Sequence, residues 1–168
     1  LLFFASKRLE HFELTKKNEA SFNLLNKAIK KSNLINFNEE SGTELAKSLY
    51  PLDWLSANIL VNALQRYGQN ERSLFSFLES TDHTGLAKFN KNENPFYNLS
   101  NVYDYLNFNF YSFLTSRYNP DFSGWVSIRS SIDKVERALI DSPISDCLKA
   151  IKTIGLLNIF SANGSILD

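Results

Sequence analysis

The side chains with chemistry to offer are few and widely spaced. Histidine stands at positions 11 and 83, and the single cysteine is Cys147. No two of these share the close spacing that a zinc site needs. A nucleophilic role for Cys147 requires a base beside it; its place next to Leu148 in an apolar helical pattern predicts an inert core thiol instead. Asp82-His83-Thr84 brings an acid and a base together as chain neighbours. Such neighbours rarely share catalytic geometry, so the triplet reads as a polar loop. Neither G-x-x-x-x-G-K-[ST] nor G-x-G-x-x-G occurs, and the six glycines form no phosphate cradle. The residues predict no catalytic site, no metal and no cofactor held by this chain on its own.

Two groups of cations remain. The first is Arg66-Tyr67-Gly68-Gln69-Asn70-Glu71-Arg72-Ser73. As structure, this is a tight helix–helix junction, with Gly68 as a left-handed C-cap and Asn70 as the next N-cap. As function, Arg66, Gln69 and Arg72 present a polar, cationic edge to a partner or ligand. The second group is Lys149 and Lys152, on a helix expected from Pro143 to Ile154. If that helix entered a major groove, the two lysines would meet phosphate. With Asp146 beside them they make a thin footprint for nucleic acid.

These residues are carried by helices. Residues 3–16 read as helical, with Leu9 and Phe12 on one face, and Phe22, Leu25 and Ile29 continue the spacing from an N-cap at Asn18. Residues 32–40 are polar and rich in Asn, as loops are. Ser41-Gly42-Thr43-Glu44 matches a capping box and opens a short helix through Leu49. Pro51 suits the first turn of a helix running to Tyr67, apolar over most of its circumference and so predicted to be buried. A helix through Leu74, Phe75, Phe77 and Leu78 follows, then a loop over 81–97 with room for one helical turn.

Ser100 can cap a helix from Asn101 to Thr115. Leu106, Phe108 and Phe110 also alternate like a strand, but the length favours a helix. Trp125, Ile128, Ile132, Val135 and Leu139 make an amphipathic helix. Ser142-Pro143 caps another, expected to stop at Gly155. Leu156–Ser161 then reads as a strand, Asn163-Gly164 as a hairpin turn and Ile166-Leu167 as the return strand. Helix, helix, hairpin is the ending of a winged-helix unit. The expected architecture is mainly α: a helical bundle over 1–98, leading into a winged-helix-like unit over 99–168 with one short hairpin.

Composition limits the function classes. The chain has 168 residues, 43% hydrophobic, with 14 Phe and 7 Tyr, enough for an aromatic-rich core. Eighteen basic and eighteen acidic residues cancel, so no long-range field draws it to nucleic acid or to an anionic membrane. No run approaches the ~18 apolar residues of a transmembrane helix. One cysteine suits a reducing, cytoplasmic setting. The 19 Asn are a compositional bias rather than chemistry. Apolar Leu1-Leu2-Phe3-Phe4 at one end and Ile166-Leu167 at the other suggest a piece of a larger protein.

Tyr50-Pro51-Leu52-Asp53-Trp54, followed by Gln65-Arg66-Tyr67-Gly68-Gln69-Asn70-Glu71-Arg72-Ser73-Leu74-Phe75-Ser76-Phe77-Leu78, resembles a signature of large bacterial P-loop ATPases of the AAA or STAND type. Tyr103-Asp104-Tyr105-Leu106 and Ile151-Lys152-Thr153-Ile154-Gly155-Leu156-Leu157-Asn158 are similar to later segments of the same proteins. The likeness runs from about Tyr50 to Leu167, and its ten-residue core Gln69–Leu78 is the specific part. Asp53 stands where the family motif has His. The resemblance implies a helical lid and winged-helix segment whose P-loop, and any ATP site, belongs to an upstream domain of the same polypeptide. It also implies an arginine that senses nucleotide phosphate, with Arg72 the foremost position, Arg66 the second and Gln69 on the same edge. A partner protein or nucleic acid would then receive the motion.

Overall fold

The computed structural model describes residues 1–9, 12, 14–32, 39–68, 71–79, 82–90, 94–139 and 143–160. The chain is mainly helical, as the periodicity predicts. Among the described residues there is no strand, only an isolated parallel bridge between Leu52 and Tyr97. The fold divides into two compact units, Leu1–Asn98 and Leu99–Asp168.

The first unit holds α1 (Leu2–Leu9), α2 (Lys16–Ser32), α3 (Glu39–Ser48), α4 (Trp54–Tyr67), α5 (Glu71–Glu79) and a 3-10 turn at Leu86–Lys88. α4 is its axis. Trp54, Ala57, Ile59, Leu60, Ala63, Leu64 and Tyr67 are all buried, and α1, α2 and α5 pack on it. The start of α4 is set by Asp53 rather than by Pro51. Asp53 accepts from the Ser56 backbone N–H at 2.7 Å and from the Ser56 hydroxyl at 2.7 Å. Pro51 lies before the helix, behind a cis Tyr50–Pro51 peptide, and its carbonyl accepts from Tyr97 N–H at 2.8 Å. Tyr97 ties the unit together. Its hydroxyl donates to the Thr84 carbonyl at 2.6 Å, and its ring meets Phe77 and Phe89 edge-on.

The second unit holds α6 (Leu99–Asn109), α7 (Tyr111–Leu114), α8 (Phe122–Ala138) and α9 (Ser145–Phe160). α9 packs on both α6 and α8. Tyr103 of α6 stacks on Trp125 of α8 with ring centroids 5.6 Å apart, and Val102, Leu106, Ile128 and Leu156 fill the space around them. Glycine lets α8 and α9 approach closely. A Cβ on Gly155 would collide with Ile128 Cγ1 and Cδ1, and one on Gly124 would lie 2.8 Å from Ile159 Cγ1.

Several expectations are corrected. α9 does not stop at Gly155 but continues to Phe160, so 156–160 is helix and not the first strand of a wing. An apolar run next to glycine fits a buried helix end as well as a strand, and here the missing Cβ serves contact with Ile128. The turn and return strand expected at 163–167 lie outside the described residues, and neither a winged helix nor a hairpin is supported. Gly68 is extended (φ −111°, ψ −160°), not left-handed. It is needed for space, since a Cβ there would lie 2.5 Å from Ser73 Oγ and 2.8 Å from the Leu64 carbonyl oxygen. α3 begins at Glu39, which puts Ser41 inside the helix rather than at its cap. α1 ends at Leu9, and α2 begins at Lys16, ahead of Asn18. The 101–115 segment is helical but broken into α6 and α7 around Phe110. Cys147 is exposed in the first turn of α9, not buried, because the buried face of that helix runs through Leu156 and Leu157.

Two stability predictions follow from this packing. Gly155→Ala gains about 1 kcal/mol of helix propensity but meets Ile128, an overpacking that costs about 1–3 kcal/mol. Chemical denaturation should therefore show a net loss, smaller in an Ile128→Val background; a net gain would mean that the helices are not in contact there. The second prediction concerns Asp53. Burial pushes its carboxyl above the ordinary value of 3.8, against the lowering effect of the Ser56 hydrogen bonds. A folded pKa raised in this way gives a contribution present in full below 3.8 and lost as pH rises through the higher folded value. Asp53→Asn keeps a cap without the buried charge. Its stability relative to the parent should improve from pH 4 to pH 7, and Asp53→Ala should lose about 1–2 kcal/mol at pH 4 and less at pH 7.

Candidate functional site

The cationic edge predicted in the first unit sits at the α4–α5 junction. Arg66 occupies the last turn of α4 and Arg72 the first turn of α5, both exposed; Gln69 lies outside the described residues. The scaffold beneath them is firm. Leu64 and Tyr67 are buried at the end of α4 and Leu74 and Phe77 in α5, and Gly68 lies close against Ser73. Arg8 of α1 braces α5 further along, 3.5 Å from Glu79 and over the Phe75 ring.

The predicted lysines have a different setting. Lys152 reaches from α9 to Asp104 of α6 at 2.7 Å and lies over the Tyr103 ring. Its side chain is only 19% exposed. Lys149 pairs with Asp146 at 3.2 Å, one turn away, and is well exposed. Both charges are matched by carboxylates within the unit, and Lys152 is a tie between helices. Together they offer little free positive charge to a phosphate backbone.

Around Lys152 lies a cleft of about 230 Å³ that no sequence pattern indicated, lined by Tyr103, Asp104, Asn107, Arg129, Asp133 and Glu136 among others. Burial, reinforced by Asp104, pushes the Tyr103 phenol up to about 12. Arg129 donates to the Tyr111 hydroxyl at 2.6 Å and lies over the Tyr111 ring. That hydrogen bond, more than any other influence, raises the guanidinium pKa. The pairing of Arg129 with Tyr111 spans 18 positions, and that of Lys152 with Asp104 spans 48. No periodicity argument joins residues so far apart. A separate groove of about 520 Å³ runs between α8 and α9, lined by Ser123, Ser127 and Ile128 of α8 and Ile151, Ile154 and Ile159 of α9 among others.

Among the described residues no group of His, Cys, Asp and Glu could hold a metal ion, and no helix is long and apolar enough to cross a membrane. His83 lies exposed in the turn before Leu86, and His11 is outside the described residues. No protein-family model, curated protein or solved structure matches the chain.

The different settings of the two lysines can be measured. A double-mutant cycle on Lys152 and Asp104 should give a coupling near ~1 kcal/mol, whereas Lys149 and Asp146 should stay below about 0.5 kcal/mol, the range of exposed helix pairs. Equal couplings would mean that Lys152 is not held between the helices.

Proposed function

We propose that the chain is a non-catalytic helical segment of a larger bacterial P-loop ATPase, of AAA or STAND type. In this reading it couples the nucleotide state of an upstream domain of the same polypeptide to a partner by moving as a helical body. The observation that carries the reading is the α4–α5 junction: Arg66 and Arg72 stand exposed at the two ends of a linker whose flanking helices are anchored by buried side chains. Buried neighbours fix the backbone from which each arginine extends, which supports a cation delivered to a set place. In this reading Arg72 is the foremost sensor, Arg66 the second and Gln69 a further candidate. ATP would be bound by the upstream domain. A cytoplasmic setting fits an exposed thiol at Cys147.

Nucleic-acid contact through α9 has less support, because Lys149 and Lys152 both face carboxylates. A helical protein-interaction module without any ATPase partner is the remaining reading. It differs in needing neither arginine for turnover.

The test is made in the full-length protein. Arg72→Ala should lower ATP turnover by about tenfold or more while leaving the melting temperature unchanged, as expected when one positioned cation is removed from a phosphoryl-transfer site. Unchanged turnover in a well-folded variant would rule out the sensor role.

A further inference from the structure

The second unit presents an exposed surface that none of the predicted site residues uses. α7 places Tyr111 at 44% exposure, and α8 places Val126 at 47% with Arg129 also exposed. Between them is a depression of about 30 Å³, floored by Trp125, Leu114 and Tyr103 and rimmed by Val126, Arg129, Thr115 and Asn107. Its size suits one methyl group. Tyrosine and arginine around a small apolar hole, with Trp at its base, is the composition of an interface hot spot rather than of a solvated helix face.

Arg129 indicates what covers it. Its guanidinium is fixed by the hydroxyl and the ring of Tyr111, both neutral, and among the described residues it makes no ion pair with a carboxylate. Tyr111 uses one of five donors, so the remainder of the fork is open to a bidentate acceptor. Asp133 lies one turn along α8, close enough to raise the guanidinium pKa. It therefore disfavours an anion from that side and leaves the approach over Thr115 and Tyr111. Because Tyr111 already orders the side chain, little rotamer entropy remains to be lost on binding.

We infer that this face docks a protein segment in which a small aliphatic side chain sits beside a carboxylate, the methyl group entering the depression over Trp125 and the carboxylate pairing with Arg129. The inference does not depend on the ATPase reading, since it involves neither Arg66 nor Arg72.

The experiment uses the whole 168-residue chain and two peptides, acetyl-Ala-Val-Asp-Ala-amide and its Asn counterpart, titrated to about 10 mM with the Trp125 indole and Val126 methyl signals followed by NMR. The Asp peptide should shift both signals saturably and bind about tenfold tighter than the Asn peptide, the worth of one charge-assisted pair. Arg129→Gln, an exposed substitution that leaves the fold intact, should make the two peptides equal. Val126→Asp should abolish binding of both. Equal binding of the two peptides to the parent, or no saturable shift, overturns the inference. So does a short oligothymidylate moving the same signals while the peptides do not, which would mark the face as a stacking surface for single strands.

Discussion

Where Gly155 of α9 meets Ile128 of α8, the second unit has no room for even one extra carbon. Much else in that unit depends on this contact. It sets how close α9 lies to α8, and α9 in turn carries Lys152 to Asp104 of α6. The stack of Tyr103 on Trp125 closes the same three-helix arrangement from the α6 side. A close helix crossing of this kind tolerates little change, because a Cβ on Gly155 would have to displace the Ile128 side chain. It is also what makes the surrounding surface well defined, including the face around Arg129.

The first unit solves a different problem. Its central helix is apolar nearly all round, so its polar backbone end must be satisfied inside the protein. Asp53 does this with both carboxylate oxygens, at the expense of holding an ionisable group in a buried place. α5 then starts three residues after Gly68, whose missing side chain lets Ser73 close on the end of α4. Arg66 and Arg72 are the exposed cations of the last turn of α4 and the first turn of α5.

Much of this was legible in the chain. α4 and α8 could be read from long apolar spacing, because burial of a helical stripe leaves a repeating mark over four or five turns. The boundary errors have one physical origin. A glycine is silent about whether it serves backbone freedom or a close approach. At Gly68 and Gly155 it serves the approach, so a left-handed cap and a helix stop were both misread. Leu156-Leu157-Asn158-Ile159-Phe160 carries strand-like composition that the tertiary contacts override. Cys147 reads as buried because it neighbours Leu148, but a helix places neighbours 100° apart, and one of the two faces water. The arrangement of the site was mostly illegible. Arg66 and Arg72 are adjacent enough to be grouped by eye, while Arg129 with Tyr111 and Lys152 with Asp104 are joined only by the fold.

Tyr97 has a consequence for how the molecule forms. It is the penultimate residue of the first unit, yet it bonds back to Pro51, near the middle of that unit, as well as to Thr84. Closing so long a loop costs entropy that is recovered only when both ends are present. The bonds to Pro51 and Thr84 therefore form only once the chain from α1 to Tyr97 is all present. The second unit has a long closure of its own, since Lys152 of α9 meets Asp104 of α6 across 48 positions. Until Tyr97 is in place, Pro51, just ahead of the apolar helix α4, lacks the partner that ties it to the end of the unit.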